Sequence, residues 1–284
     1  MTQNLTTPIT LPLWPDTPPN ALGDGPDDRP TLTLYLPHGH DAQPQTQRPG
    51  LVIVLPGGGY HFKAAHEGEP IARWLNDADI PAAVVQYRVA PYRHPTPSDD
   101  ARRAIRLARH HAQEWGIDPS RIAILGFSAG GHCAATTATI QQPHCPYRLD
   151  DADTLPSRPD ALILCYPVIT FGPLRHDGSM HCLLDDADGH VDPDLQRRLS
   201  LENSVTDANP PTFIWSTFTD QAVPIQNSLM FAAALHDHHV PCELHIFPEG
   251  HHGLGLATET PGVRQWTALC TDWLARQGFL PGAH

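Results

Sequence analysis

Gly126-Phe127-Ser128-Ala129-Gly130 stands between an apolar run, Arg121-Ile122-Ala123-Ile124-Leu125, and an Ala-rich segment whose composition favours a helix. A strand, a sharp turn and a helix form the context in which the serine of a G-x-S-x-G motif becomes a nucleophile. The two glycines let the strand and the helix pack closely around a strained turn, which lifts the Ser128 hydroxyl into a cleft. The stretch therefore predicts an α/β fold with a nucleophilic serine, provided that suitable partners exist elsewhere in the chain.

A second glycine-rich segment follows another apolar run. Leu51-Val52-Ile53-Val54-Leu55 is typical of a strand buried on both faces, and it leads directly into Pro56-Gly57-Gly58-Gly59-Tyr60. This loop is similar to an HGGG-type oxyanion loop, with proline in the place of the usual histidine. Consecutive glycines let backbone N–H groups converge on the negative oxygen of a tetrahedral intermediate. We expect the N–H groups of Gly58, Gly59 and Ala129 to form an oxyanion hole, and a plain flexible glycine turn is the alternative.

An acid and a base follow the serine in the order Ser, Asp, His that an α/β-hydrolase requires. One strand-like segment ends shortly before Asp220, and a second one, 243–247, leads into His251 and His252. Both candidates therefore lie on loops directly after strands. Asp207, which precedes the first of these strands, is an alternative acid, although a position after a strand suits an α/β-hydrolase better.

These segments together resemble a known family. The motifs Pro-Gly-Gly-Gly-Tyr, Gly-Phe-Ser-Ala-Gly-Gly, Asp-x-x-Val-Pro and Phe-Pro-x-Gly-x-His-Gly-Leu are similar to those of α/β-hydrolase esterases related to acetyl xylan esterases and bacterial feruloyl-type (BD-FAE-like) esterases. The likeness extends from about Leu13 to Trp273. In that family the aspartate of the third motif and the histidine directly before Gly-Leu are catalytic. The resemblance carries these roles to Asp220 and His252.

The rest of the chain alternates strand-like and helix-like segments. The expected strands are 31–36, 51–55, 82–88, 121–125, 161–166, 212–216 and 243–247, and the expected helices are 62–78, 98–115 with Ser98 as its cap, a helix from Ala129, 226–236 and 263–276. This alternation implies a doubly wound, mostly parallel sheet between two helical layers, an α/β-hydrolase fold. We expect a single domain over residues 1–284, with edge strands within 1–50. Segment 167–211 is either a small lid over the cleft or a solvated surface excursion.

Composition argues against several other classes of protein. The formal net charge is −13, whereas a nucleic-acid surface needs a basic patch. Four arginines do cluster, but Ala and Ile alternate with them at helical spacing, which favours a solvated helix face: Arg102, Arg103, Arg106 and Arg109. The longest apolar run, 161–169, is far shorter than the ~20 residues that span a bilayer. We therefore expect neither a nucleic-acid partner nor a membrane.

The first residues and the cysteines indicate the cellular compartment in which the protein is expected. No basic segment followed by an apolar run of signal-peptide length opens the sequence, and five prolines between Pro8 and Pro19 would interrupt one. The six cysteines include no C-x-x-C pair and are interpreted as free thiols in a reducing cytosol. These observations predict a cytoplasmic protein.

Nineteen histidines raise a metal-binding protein as an alternative. Its best evidence is the histidine clusters at 38–40, 110–111 and 236–239. None of them forms H-E-x-x-H, and no Cys/His set has zinc-finger spacing, so we expect no metal and no cofactor. A noncatalytic binding module on a hydrolase fold is a further alternative, which a missing triad position would favour. Here all three positions are filled.

The expected chemistry is acyl transfer to serine. His252 takes the proton of Ser128 as the hydroxyl attacks an ester carbonyl, and Asp220 orients the imidazole. The resemblance implies an acetyl ester of a carbohydrate, such as an acetylated xylo-oligosaccharide. The loops also favour a short acyl group, because they look too polar to shelter a long alkyl chain at about 0.8 kcal/mol per buried CH₂. Peptidase-like and lipase-like hydrolases are the alternatives.

Aromatic residues at the ends of the strands are candidates for the substrate pocket, with a place in the core as the alternative. They are Tyr60, Phe62, Phe127 and Trp215.

Overall fold

The structure is a computed structural model that describes residues 7–40, 48–140, 142 and 145–280, so parts of the expected N-terminal edge-strand region, 1–6 and 41–47, lie outside the described residues. The strands are β1 (Ile9–Pro12), β2 (Thr31–Tyr35), β3 (Leu51–Leu55), β4 (Ala82–Gln86), β5 (Ile122–Phe127), β6 (Ala161–Cys165), β7 (Thr212–Thr217) and β8 (Cys242–Phe247). The helices are α1 (Glu69–Asp77), α2 (Thr96–His110), α3 (Ser128–Thr139), α4 (Asp177–Leu184), α5 (Pro193–Arg198), α6 (Gln226–Asp237), α7 (Pro261–Arg264) and α8 (Trp266–Arg276).

These eight strands form one sheet in the order β1-β2-β4-β3-β5-β6-β7-β8. β1 and β2 are antiparallel to their neighbours, and the other pairs are parallel. The doubly wound, mostly parallel sheet expected from the alternation of elements is thus confirmed. β1 lies at one edge of the sheet, and β2, which contains most of the expected strand 31–36, lies between β1 and β4.

The centre of the sheet sets up the functional cleft. Every side chain of β3 and β5 is buried, because helices cover both faces of the parallel strands. The two strands pair in register, with Leu55 opposite Gly126. The glycine-rich loop after β3 and the serine turn after β5 therefore begin side by side at the carboxyl edge of the sheet, which is where open α/β sheets bind ligands.

Two apolar cores lie on opposite faces of the sheet and make three layers. On one face α2, α3 and α6 contribute buried side chains such as Ile105, Cys133 and Phe231. On the other face α1 and α8 contribute side chains such as Leu75 and Trp266. These five helices bury apolar side chains against the sheet, which is the main source of their stability.

Several expected helix boundaries differ from the structure, and α2 ends at His110 rather than at 115. The segment 62–78 becomes a 3-10 turn, Ala65–Glu67, and then α1. Ser98 lies inside α2 rather than at its start, and its hydroxyl donates to the carbonyl of Pro95, which is the actual N-cap. The expected helix 263–276 is interrupted at Gln265. Proline at the first helical turns explains the shifts at the starts of α1 and α2, since it is favoured at that position.

The expectation of a solvated arginine face on α2 is wrong. Arg102, Arg103 and Arg106 are each 2% exposed or less. Acceptors from distant segments compensate the cost of burying these charges: Arg103, for example, donates to the carboxylates of Asp150 and Asp153. Alternation with alanine indicates a helix, but it does not distinguish water from buried carboxylates as the arginines' partner.

Within the described part of the chain, no helix combines the length and the apolar character needed to cross a membrane. All six cysteines are free thiols, and four of them are buried.

Candidate active site

Ser128 occupies a strained turn between β5 and α3. Its φ is 52°, in the left-handed region that side chains other than glycine rarely adopt, and it is the first residue of α3. A Cβ on Gly126 would lie 2.2 Å from the carbonyl oxygen of Gly130, and one on Gly130 would lie 2.3 Å from that of Leu55. Both glycines of the motif are therefore required by close backbone approach.

Ser128, His252 and Asp220 form a continuous chain of hydrogen bonds. Nε2 of His252 lies 2.7 Å from Oγ of Ser128, and Nδ1 lies 2.7 Å from Oδ2 of Asp220. Because a carboxylate only accepts, the proton of the neutral imidazole lies on Nδ1. Nε2 is then free to accept the proton of the serine hydroxyl, which is the arrangement of a nucleophile with its general base.

The carboxylate of Asp220 is fixed by its own loop after β7. Its Oδ1 accepts from the backbone N–H groups of Ala222 and Val223, each at 2.9 Å. Burial alone would raise the pKa of Asp220, but the hydrogen bond from His252 and these two N–H groups outweigh it and hold the pKa below its usual range. Asp220 is thus anionic at neutral pH.

The two alternatives left open by the sequence lie elsewhere. His251 is exposed, and its Nδ1 donates to the carbonyl of His252 instead of facing Ser128. Asp207 is exposed on a turn before β7. The structure therefore brings together Ser128, Asp220 and His252.

The glycine-rich loop lies beside Ser128 at the cleft. Gly58 and Gly59 have positive φ values of 129° and 65°, and both line the cleft beside Ser128. Within the described ranges the amides of Gly58 and Gly59 have no acceptor, and the amide of Ala129 belongs to the first turn of α3, where helix amides have no intrahelical partner. Gly57 is different, because its N–H donates to the carboxylate of Glu67.

A cleft of about 710 Å³ opens at Ser128 and His252. Its walls come from the glycine-rich loop, the segment that follows it, the start of α4 and the loop after β8. The lining residues are Gly58, Gly59, His61, Phe62, Lys63, Ala64, Ala65, His66, Glu67, Ser128, His176, Gly178, Cys182, His252 and Gly253. Segment 167–211 thus contributes α4 to the cleft wall.

Three of the four aromatic pocket candidates belong to the core, which corrects the expectation that they line the cleft. Tyr60, Phe127 and Trp215 are at most 1% exposed. Phe127 and Trp215 pack against the ring of Tyr166, and the hydroxyl of Tyr60 bonds Nδ1 of His132. Phe127 and Trp215 lie on buried strands, and Tyr60, on the loop after β3, reaches His132 of α3, so all three side chains fill the core. Phe62, which is 57% exposed, does line the cleft.

His176 faces the cleft from the start of α4, and sequence reasoning did not single it out. Its Nδ1 accepts the backbone N–H of Ser179 at 3.1 Å, so the proton of the neutral ring lies on Nε2. Burial lowers the pKa of His176, as does the neighbouring His252, which keeps the ring neutral. The cleft therefore contains a neutral N–H donor opposite the glycine-rich loop.

Glu67 and Tyr166 also lie beside the site without having been predicted. The Tyr166 hydroxyl donates to Oε1 of Glu67 at 2.6 Å, and the Tyr166 ring contacts the ring of His252 edge-on, with centroids 5.0 Å apart. One signal was available for Tyr166, because it directly follows β6 at the carboxyl edge of the sheet. Glu67 had no signal of this kind, since it precedes a helix and its partners are distant in sequence.

A grouping of potential metal ligands among the described residues is Asp186, Asp188 and His190. All three are exposed and lie outside the cleft. None of the histidine clusters expected from the sequence, 38–40, 110–111 or 236–239, belongs to it.

Comparisons with known proteins identify the family of the chain. The sequence pattern of the BD-FAE family matches residues 32–235. The chain is 36% identical over 234 residues, 81% of its length, to a protein of Butyrivibrio fibrisolvens named endo-1,4-beta-xylanase B, and 34% identical over 211 residues, 73% of its length, to an acetylxylan esterase of Xylanibacter ruminicola. It spans only 35% and 41% of the length of these two relatives.

Solved structures match over almost the whole chain. The acetyl ester-xyloside bifunctional hydrolase of Caldicellulosiruptor lactoaceticus is 44% identical, with a TM-score of 0.88 over 96% of this chain and 97% of that one. The carboxylesterase Cest-2923 of Lactobacillus plantarum is 28% identical, with a TM-score of 0.76 over 97% and 98%. The chain therefore belongs to the BD-FAE family and has the α/β-hydrolase fold of these esterases.

Proposed function

We propose that this protein is a serine carboxylesterase that hydrolyses short-chain acyl esters, acetyl esters above all, of carbohydrates. The observation that carries the proposal is the hydrogen-bonded chain from Asp220 through His252 to Ser128 at the cleft, beside amides that lack acceptors. Relatives named acetylxylan esterase and carboxylesterase support ester hydrolysis as the reaction.

The first half of the reaction transfers the acyl group to the enzyme. Ser128 Oγ attacks the ester carbonyl while Nε2 of His252 takes its proton, because an unassisted serine hydroxyl is too weak a nucleophile at neutral pH. Asp220 keeps the ring in the required tautomer and stabilises the imidazolium. His252 then returns the proton to the departing alcohol, and the acyl group remains on Ser128.

The amides of Gly58, Gly59 and Ala129 stabilise the negative oxygen of both tetrahedral intermediates. In the second half a water molecule attacks the acyl-enzyme, with His252 again as the base, and the carboxylic acid leaves. Every step uses groups of this chain and no cofactor.

The cleft walls support a sugar as the alcohol. His61, Lys63 and His176 offer hydrogen-bonding groups of the kind that sugar hydroxyls pair with, and the exposed ring of Phe62 offers an apolar face for a pyranose ring. Acetylated xylo-oligosaccharides fit this chemistry, and two of the relatives carry acetyl ester hydrolysis in their names. In this proposal segment 167–211 acts as a cover, through His176, which precedes α4, and Cys182 of α4 at the cleft wall.

The free thiols support a reducing compartment as the place of action. A cytoplasmic enzyme would meet its substrate as an imported oligosaccharide. Fractionation of cells expressing the protein at its natural level tests this part of the proposal, and recovery outside the cytoplasm would contradict it.

The test of the function is a substrate panel. Initial rates are measured with p-nitrophenyl acetate, butyrate, octanoate and palmitate, with acetylated xylo-oligosaccharides, and with p-nitrophenyl β-xyloside. We expect kcat/KM to be highest for acetate and to fall with chain length, and acetate to be released from the oligosaccharides. A rise toward palmitate, or xyloside cleavage without esterase activity, would contradict the proposal.

A further inference from the structure

Glu67 is a buried carboxylate behind the catalytic groups to which the proposed mechanism gives no role. It ends the 3-10 turn Ala65–Glu67, between the glycine-rich loop and α1, and its side chain is 3% exposed. Oε2 accepts from the N–H of Gly57 at 2.7 Å, and Oε1 accepts from the hydroxyl of Tyr166 at 2.6 Å. A buried charge with two strong hydrogen bonds at this point needs an explanation.

We propose that Glu67 is a positioning residue of the esterase: it ties the oxyanion loop to the loop that carries His252, and its negative charge helps to stabilise the imidazolium formed during catalysis. The inference rests on the proposed roles of Ser128 and His252.

One side of the tie is the oxyanion loop. A Cβ on Gly57 would lie 2.8 Å from Oε2 of Glu67 and 3.0 Å from Cβ of Ser128, so the carboxylate lies directly behind the serine turn. Because the N–H of Gly57 is directed at Glu67, the orientation of the next two peptide units, which carry the amides of Gly58 and Gly59, depends on this bond.

The other side of the tie is the loop after β8. The Tyr166 hydroxyl donates to Glu67 and accepts the N–H of Gly255 at 2.9 Å. Beside it, Nε2 of His66 donates to the carbonyl of Gly253 at 2.9 Å. The residues that follow His252 are thus bound to the segment that contains Glu67 at two points.

The pattern of donors fits an ionised Glu67. Both oxygens accept a hydrogen bond, whereas the O–H of a protonated carboxyl would need an acceptor in their place. Burial raises the pKa of Glu67, and the bonds from Tyr166 and Gly57 together with the nearby imidazoles of His66 and His252 oppose that rise.

The imidazole of His252 is surrounded by groups from four elements. Asp220 follows β7, Glu67 precedes α1, His176 precedes α4 and Tyr166 follows β6. Asp220 and Glu67 are the carboxylates of this set, and His176 and Tyr166 are neutral at catalytic pH, since burial lowers the pKa of the first and raises that of the second. Removing the charge of Glu67 therefore makes protonation of His252 less favourable.

The deciding measurement is the pH dependence of kcat/KM for p-nitrophenyl acetate in Glu67→Gln, a nearly isosteric change. We expect kcat to fall about ten- to hundredfold, because the loop geometry loosens, and the midpoint of the acid limb to move to lower pH. Glu249→Gln is the matched control, since it removes an exposed carboxylate from the loop of His252 and should leave the midpoint in place. Reduced activity with an unmoved midpoint would overturn the electrostatic part, and wild-type kcat would overturn the whole inference.

Tyr166→Phe provides an independent test of the positioning role if Glu67→Gln does not fold. It keeps the charge of Glu67 but removes the bridge to Gly255, so we expect a lower kcat with a nearly unchanged KM. Wild-type kcat in this variant would contradict the positioning role.

Labelling of Ser128 by an organophosphorus ester, followed by mass spectrometry, separates this inference from the proposed function. If wild-type Ser128 is labelled and the variants behave as wild type, the inference about Glu67 alone fails. If Ser128 is not labelled and Ser128→Ala remains active, the proposed mechanism itself fails.

Discussion

Nε2 of His252 lies 2.7 Å from Oγ of Ser128, although 124 residues separate the two in the sequence. The contact exists because β5 and β8 run parallel in one sheet, so the turn after one and the loop after the other meet at the same edge. His251, the next residue along the chain, points away and bonds the backbone.

The two adjacent histidines should therefore differ sharply on substitution. We expect His252→Ala to lower kcat by about a million-fold, because the serine loses its base, and His251→Ala to retain most of the activity. Rates with p-nitrophenyl acetate measure both variants, and EDTA should affect neither. The reverse ranking would assign the base to His251.

Sequence patterns predicted which three side chains meet, because each follows a strand in a short local motif. The other residues of the site escaped prediction for a physical reason. Glu67 and Tyr166 come together beside the site through a bond between residues 99 positions apart, and His176 lies in a segment that had been left open between a lid and a surface excursion. No local pattern encodes such a contact.

Gly130 allows the serine turn to pack against the end of β3, so a side chain there should disrupt the site. A Cβ at this position would lie 2.3 Å from the carbonyl of Leu55 and 2.5 Å from that of Pro56, both rigid backbone atoms. We expect Gly130→Ala to lower the free energy of unfolding by at least about 2 kcal/mol and to lose most esterase activity.

Gly262→Ala is the matched control for this prediction. No atom lies within 4 Å of a Cβ built there, and the residue is exposed at the start of α7. Urea denaturation and rate measurements on both variants check the contrast. Equal stability of the two would show that the serine turn is not tightly packed.

His176 should affect binding of the alcohol more than the chemistry. It lines the cleft with the proton of its neutral ring on Nε2, and one hydrogen bond to a neutral group contributes about 1 kcal/mol. We expect His176→Ala to raise KM for an acetylated xylo-oligosaccharide about fivefold with a smaller change for p-nitrophenyl acetate. His238→Ala, an exposed histidine after α6, serves as the control, and equal effects of the two variants would exclude this role for His176.

His132 should make the fold sensitive to mild acid. It is fully buried one turn after Ser128, Tyr60 bonds its Nδ1, and its Nε2 donates to the carbonyl of Leu199. Burial lowers the pKa of His132 from 6.5 to about 4, so between these values the unfolded chain binds a proton that the native state does not. Stability is therefore full above the unfolded pKa and is lost as the pH falls toward 4.

The expected contribution of His132 between pH 7.5 and pH 5 is about 2 kcal/mol. Urea denaturation of the wild type and of His132→Gln at both pH values isolates it, because the other titrating groups cancel in the difference. Equal losses of stability in the two proteins would contradict the assignment.

The fold was more predictable than the surroundings of its charged side chains. β3 and β5 were predicted from their continuous apolar runs, because strands that are covered on both faces carry apolar side chains at successive positions. Arg103 was misassigned to solvent, because its partners Asp150 and Asp153 lie in a separate 3-10 segment and its cap. The same alternation of arginine and alanine occurs on a helix face exposed to water and on a buried helix face whose arginines pair with carboxylates from distant segments.

The central claim is that Ser128 is the nucleophile, and the hydrolysis of p-nitrophenyl acetate by Ser128→Ala tests it most directly. Serine to alanine removes only the hydroxyl, and we expect the variant to fold as the wild type does, as circular dichroism would check. We expect kcat to fall by about a million-fold. Turnover at the wild-type rate, with contaminating esterases excluded, would contradict the account.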